Sequence, residues 1–339
     1  MTTHSAALAS FALLILPAQA QAQADVEYFY RGKQMKIIVG SDAGGGYDAY
    51  ARLVAAHLGN FIPGTPTFVV QNMPGVGSLI ALNYLANVAP KDGTVIAAIN
   101  PTAVTTQLFY PEQSKYDAAK LNWLGAPITI TYIAAAWKDA QVQKAEQLFT
   151  TELIVGSAGG ASLTLPLLLN GVLGMKFKII KGYKSNGAAF LAMEKGETQG
   201  NGGDALNNLK AVHWDLVRDK KLRIILSYGL KRNPDIPDVP MAIDYATTDQ
   251  QRAALRLALS NQNIGWPYVT AQYVPAERGE ALRSAFEEMV QDAAFLSDAK
   301  TRKLDINPAK GTHQLALVKE ILTTPREIVE QLRPIIGDQ

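Results

Sequence analysis

One pattern constrains this chain more than any other: a short apolar run, a loop of small polar residues, then a run with helical periodicity, repeated along the sequence. Residues 35–39 (MKIIV) predict a buried strand and residues 40–46 (GSDAGGG) a flexible loop. Tyr50, Leu53, Val54, Leu58 and Phe61 then fall at helical spacing until Pro63 and Gly64 stop the run. Residues 67–71 (TFVVQ) predict a second strand, followed by NMPGVGS and a helix over 79–88. After the turn at Lys91-Asp92-Gly93, residues 94–99 predict a third strand that ends at Asn100-Pro101-Thr102 before another helix. Alternation of this kind predicts an α/β fold, in which a mostly parallel sheet is flanked by helices.

The pattern restarts in the middle of the chain. Residues 152–156 predict a strand, 157–162 (SAGGAS) a small-residue loop and 163–173 a helix. Residues 176–180 predict a strand, 182–187 (GYKSNG) a loop, and 188–195 a helix closed by Gly196, with a further strand over 222–228. Beyond the Pro- and Asp-rich stretch 231–240, helices are expected over 249–259, 276–295, 311–322 and 325–334. Two blocks imply two lobes. The expected division is lobe 1 from residues 25–127 plus 231–339, and lobe 2 from 128–230, with two crossovers acting as a hinge.

The N-terminus predicts the compartment. Residues 6–16 (AALASFALLIL) are an uncharged apolar run, broken by Pro17 and followed by A-x-A sites through Ala24. This is the pattern of a secretory signal peptide over residues 1–24, too short to span a membrane. Cleavage after Ala24 would leave 339 − 24 = 315 residues exported to the periplasm. The absence of cysteine excludes disulfides, thiolate nucleophiles and Cys-based metal sites. A net charge of +2, with Lys and Arg scattered, gives no field for nucleic acid.

The chemistry is expected in the loops. Loops 41–47, 157–162 and 182–187, with 100–102 a weaker fourth, each follow a strand and open a helix. Helix N-termini present unpaired N–H groups and partial positive charge, and glycine lets a ligand approach the main chain closely. Loops of this kind could enclose a carboxylate using amides and the hydroxyls of Ser157, Ser162 and Ser185. Enzyme signatures are missing. The Gly40–Gly46 stretch is not a dinucleotide fingerprint, no P-loop or nucleophile elbow exists, and His57, His213 and His313 are isolated. Neither catalytic nor metal-ligating residues are expected, and Asp48 is expected to cap the helix after the GGGY turn.

The runs IIVGSDAGGGYDAYAR (37–52), VVQNMPGVGS (69–78), APKDGT (89–94), VGSAGGAS (155–162), GYKSNGAAFLAMEKGE (182–197), NPDIPDVP (233–240) and VPAER (274–278) resemble the solute receptors of tripartite tricarboxylate transporters, also called Bug receptors. The resemblance covers essentially the whole mature chain. It implies a type II-like, two-lobed periplasmic binding protein that closes on a small carboxylate, needs no cofactor, acts as a monomer and serves two membrane subunits, one large and one small. It implies a ligand set around the cleft of Gly45, Gly46, Tyr47, Asn100, Thr102, Ser157, Ser162 and Tyr183, to which Ser41, Asp42, Gly160, Lys184 and Asp204 are added. Asp42, Lys184 and Trp266 depart from the family pattern. The first two would bring charge to the cleft and suit a ligand with a cationic group beside its carboxylate. The alternatives are a binding protein serving a sensor kinase and a periplasmic α/β enzyme acting on a carboxylate.

Overall fold

The structure, a computed structural model, describes residues 15–337. In chain order its elements are α1 (Ile15–Tyr30), β1 (Gln34–Val39), α2 (Gly46–His57), β2 (Thr67–Asn72), α3 (Leu79–Asn87), β3 (Val95–Ala98), α4 (Thr102–Phe109), β4 (Asn122–Ala126) and β5 (Tyr132–Trp137). There follow β6 (Leu153–Ser157), α5 (Ala161–Leu173), β7 (Phe177–Lys181), α6 (Asn186–Glu194), β8 (Gly200–Ala205), α7 (Leu206–Val212), α8 (Trp214–Arg218) and β9 (Leu222–Ser227). The last are α9 (Asp249–Ile264), β10 (Tyr268–Thr270), α10 (Ala276–Met289), α11 (Ala293–Thr301), β11 (Ala309–Lys310), α12 (Gly311–Leu322) and α13 (Arg326–Leu332).

Among the described residues the strands form two sheets. The first has the order β11-β4-β10-β3-β1-β2. β1 runs parallel to β2 and β3, whereas β10 is antiparallel to β3 and β4, and β11 to β4. The second has the order β7-β6-β8-β5-β9, in which β5 alone opposes its neighbours. Most strands in each sheet therefore share a direction, but both sheets are mixed. In the first unit, Ile37 and Val39 of β1 pack with Leu53 and Val54 of α2 and with Leu282, Phe286 and Met289 of α10. In the second, Ile133 and Ala135 of β5 pack with Phe190 and Met193 of α6 and with Leu206 and Leu209 of α7.

The chain divides into two compact units. One holds the residues up to Ala103, Pro111–Pro127 and Trp266–Leu315; the other holds Val104–Tyr110, Ile128–Gly265 and the residues from Ala316 onward. This corrects the expected boundaries. The return to the first unit comes at Trp266, not at residue 231, the C-terminal residues join the second unit, and the chain crosses five times instead of twice. The physical reason lies in α9. Its buried residues Ala254, Leu255, Leu257 and Leu259 serve the second unit, where Gln251 donates to the Val172 carbonyl (3.1 Å) and Gln262 to the Tyr228 carbonyl (3.2 Å).

One local expectation also changes. The helix expected over 276–295 is two helices, because Asp292 accepts from the Ala294 and Phe295 amides (2.9 and 3.0 Å) and starts α11 afresh. β8 (GNGGDA), for which the sequence carried no strand expectation, is a packed strand. A Cβ on Gly200 would sit 2.4 Å from the Ala135 carbonyl oxygen, and one on Gly202 would sit 2.4 Å from Pro166 Cγ. Its neighbours approach so closely that only glycine fits.

The expected signal segment falls largely outside the described residues. α1 runs on through the expected cleavage point after Ala24, and its last turns place Val26 and Tyr30 in the core of the first unit. Among the described residues no helix is long and apolar enough to cross a membrane.

Candidate functional site

In the first unit the expected residues cluster at the carboxyl ends of β1 and β3. Gly45 is the N-cap of α2 and supplies no capping side chain. Asp48 does not occupy the cap. It stands in the third helical position, buried, and its carboxylate accepts from the Gly44 amide (2.9 Å), from Arg52 Nε and Nη2 (2.9 and 3.1 Å) and from Asn72 Nδ2 (3.0 Å). These bonds, Arg52's foremost, hold its pKa down to about 2. Asn72 Nδ2 also donates to the Ser41 carbonyl (3.1 Å), so β2 fixes the loop after β1.

Ser78 joins that loop to the one after β3. Its buried Oγ donates to the Gly40 carbonyl and accepts from the Asn100 amide, both at 2.9 Å. Asn100 Oδ1 in turn accepts from the amide and hydroxyl of Thr102 (2.9 and 2.8 Å), closing the turn that opens α4. Val76, Gly77 and Ser78 take φ values of +43°, +57° and +74°. A β-branched residue in that region is strained, and strain of this kind is kept where a local geometry must be held. Neither Asn72 nor Ser78 was assigned a role from sequence, although both lie in the quoted VVQNMPGVGS run.

Trp266, singled out in the sequence as a departure from the family pattern, packs against the loop that opens α2. Its ring stacks on Tyr47 at 4.2 Å and meets Tyr50 edge-on at 5.1 Å. A Cβ on Gly46 would lie 2.7 Å from Trp266 Cη2, so the glycine is needed there for space. Asp42 is exposed and forms no ion pair among the described residues.

In the second unit, β6 and β8 run parallel and bring Ser157 and Asp204 to the same sheet edge. Ser157 and Ser162 are buried and spend their hydroxyls inside the loop. The two Oγ atoms lie 3.1 Å apart, Ser157 Oγ accepts from the Gly159 amide (3.1 Å), and Ser162 Oγ accepts from the Ala158 amide (3.2 Å) and donates to the Gly159 carbonyl (2.8 Å). They shape the loop that opens α5. Its N-cap, Gly160, has φ +55° and no capping side chain. The third loop differs, because Ser185 caps α6 through the Ala188 amide (3.2 Å). Tyr183 leans over Gly156, where a Cβ would meet its ring at 3.0 Å, and Lys184 is exposed without an ion pair among the described residues. Asp204 is buried at the end of β8 and accepts from the Ala205 amide (2.9 Å) and from Asn208 (3.1 Å to each oxygen).

Comparison with protein-family models and with curated proteins finds no match. Solved structures do match. A TctC solute-binding protein from Polaromonas superposes with a TM-score of 0.68 at 17% identity, covering 89% of this chain and 100% of that one. An R. palustris protein solved with adipate gives a TM-score of 0.55 at 19% identity, covering 88% and 97%. The periplasmic binding protein BugD gives 0.54 at 19% identity, covering 90% and 98%. The sheets, their crossing connections and the loops at the strand ends therefore make up the fold of TctC- and Bug-type solute-binding proteins.

Proposed function

We propose that the chain is an extracytoplasmic solute receptor that captures a small organic carboxylate and delivers it to a tripartite tricarboxylate-type membrane transporter. The observation that carries this reading is a repeated one. In each unit a strand ends in a glycine-rich loop that opens a helix of at least twelve residues whose N-cap is glycine, Gly45 for α2 and Gly160 for α5. Elsewhere Ser185, Thr248 and Asp292 spend side-chain oxygens on the starts of α6, α9 and α11. A helix start without a side-chain cap suits a carboxylate, and hydrogen bonds to a charged group contribute roughly 1.5–3 kcal/mol each. The adipate bound to the R. palustris protein of the same fold has the chemistry this requires.

In this reading the start of α2, with Asn100 and Thr102, is the carboxylate site of the first unit, and the start of α5, with Tyr183, is that of the second. Ser41, Ser157 and Ser162 keep the loops in shape. Export through the N-terminal segment, two membrane subunits as partners and binding without turnover belong to the same proposal.

The test is thermal stability of residues 25–339 against mono-, di- and tricarboxylates, aromatic acids and amino acids. A ligand at 100 times its Kd adds about 2.7 kcal/mol. Stabilisation by one chemical subset, with the compound recovered unchanged, supports the receptor. Consumption of the compound points to an enzyme, and no response to any carboxylate refutes the ligand class.

A further inference from the structure

The pair Asn-Gly occurs three times in the chain, at Asn170-Gly171, Asn186-Gly187 and Asn201-Gly202. Glycine after asparagine leaves the main chain free to attack the neighbouring carboxamide, because no Cβ shields the glycine nitrogen. The fold treats the three pairs differently. Asn170 is tied down, donating to the Phe177 carbonyl (2.8 Å) and accepting from the Phe177 amide (2.9 Å), and Gly171 lies inside α5. Asn201, 3% exposed, accepts from the Gly203 amide (2.8 Å), and both Asn201 and Gly202 lie within β8. Their glycines are also fixed by packing. A Cβ on Gly171 would lie 2.7 Å from Ile335 Cδ1, and one on Gly202 would lie 2.4 Å from Pro166 Cγ.

Asn186 and Gly187 are exposed and begin α6, where main-chain amides have no intrahelical partner. The Ser185 hydroxyl caps the Ala188 amide, and the first main-chain bond of the helix runs from the Ala189 amide to the Ser185 carbonyl (3.1 Å). Neither the Asn186 carboxamide nor the Gly187 amide has a hydrogen-bond partner among the described residues. A Cβ on Gly187 would meet only Ser185 Oγ, at 3.8 Å, so no close packing requires this glycine. Of the three pairs, this one combines an exposed carboxamide, an unbonded attacking nitrogen and room for both to move.

We infer that Asn186 is a modification site at which the side-chain amide converts spontaneously to an acid, while the fold protects Asn170 and Asn201. The Gly187 nitrogen, its proton lost to hydroxide, attacks Asn186 Cγ. The new N–Cγ bond closes a five-membered imide as the Cγ–Nδ2 bond breaks, and Nδ2 leaves as ammonia after taking a proton from water. Water then adds to one of the two imide carbonyls. Opening at Cγ gives aspartate; opening at the main-chain carbonyl gives isoaspartate, whose main chain carries one extra methylene. The sum is one water consumed and one ammonia released, with no change of oxidation state. Either product puts a carboxylate at the start of α6, in the loop that holds Tyr183. As aspartate the charge suits the positive end of the helix; as isoaspartate the longer main chain disturbs its first turn. The reaction needs no ligand and does not depend on the receptor reading.

The test is peptide mapping by mass spectrometry of residues 25–339 aged in mildly alkaline buffer. The peptide containing Asn186 should gain the mass of an amide turned into an acid and split into aspartyl and isoaspartyl forms. The Asn170 and Asn201 peptides must wait for a helix or a strand to open locally, so they should convert about ten-fold more slowly or less. Gly187→Ala should slow conversion at Asn186 by about ten-fold while leaving the fold in place, since the added Cβ shields the nitrogen and meets no close neighbour. In strong denaturant the three wild-type rates should converge. Should the variant fail to fold, the native and denatured wild-type rates still decide. Conversion at Asn186 no faster than at the other two sites, an unchanged rate in a folded Gly187→Ala, or a lead for Asn186 that persists undiminished in denaturant overturns the inference.

Discussion

Ser78→Ala tests whether the first-unit loops are held as described. The hydroxyl makes two bonds of 2.9 Å, to the Gly40 carbonyl and from the Asn100 amide, beside the backbone bond from the Gly40 amide to the Ala98 carbonyl (2.9 Å). Alanine leaves one acceptor and one donor without partners in a place where Ser78 itself is 1% exposed. Each orphaned buried group costs about 1–3 kcal/mol. Asn100 is only half-buried and water can reach it in part, so about 3 kcal/mol in all is expected. For a unit of 150–250 residues that lowers Tm by about 6–12 °C. Ser78→Gly removes the same hydroxyl but relieves the backbone at φ +74°, and should recover about 1 kcal/mol relative to alanine. Calorimetric unfolding of residues 25–339 reads both variants, with the transition of the first unit moving and that of the second remaining in place. A Ser78→Ala protein within about 0.5 kcal/mol of wild type would refute the reasoning, since that is the range of an ordinary surface change.

Two further predictions concern the same loops. The Asp48 carboxyl is held to about 2 in the folded chain against about 3.9 in an unfolded one, so its contribution is present above about pH 4 and is lost as the pH falls toward 2. Half-exposed Arg52 is screened, which limits that contribution to about 1 kcal/mol, and Asp48→Asn should flatten acid unfolding curves over that window; an unchanged curve would remove Asp48 from the account. Gly46→Ala drives a methyl into Trp266 and should cost about 1–3 kcal/mol, with a change in tryptophan emission as the Tyr47 stack opens; adding Trp266→Leu should restore stability, and failure to do so would mean that the backbone at Gly46, not the indole, sets the limit.

How much of this was legible beforehand depended on the side chains involved. Strands β1, β2, β3, β6, β7 and β9 stood out because their apolar runs are local signals, bounded by Gly, Pro and Asp. β8 did not, because a strand of GNGGDA carries no apolar pattern; its glycines record the nearness of Ala135 and Pro166, which are distant in sequence. β10 and β11 were hidden for a related reason. Two or three residues carry no periodicity, and they are strands only because β3 and β4 provide partners.

The loops followed the same rule. Sequence alone determined that strands end in glycine-rich turns that open helices, since glycine spacing and helix periodicity are properties of neighbouring residues. Tertiary structure decided what each side chain in those turns does. Ser157 and Ser162 bond to each other's loop, Asp48 pairs with Arg52 and Asn72, and Trp266 crosses more than two hundred positions of chain to cover Gly46. It also decided which unit α9 and the C-terminal helix join. An amphipathic helix states in its sequence that it needs an apolar partner, but not which partner; that is settled by the surface nearest to it once the chain has folded.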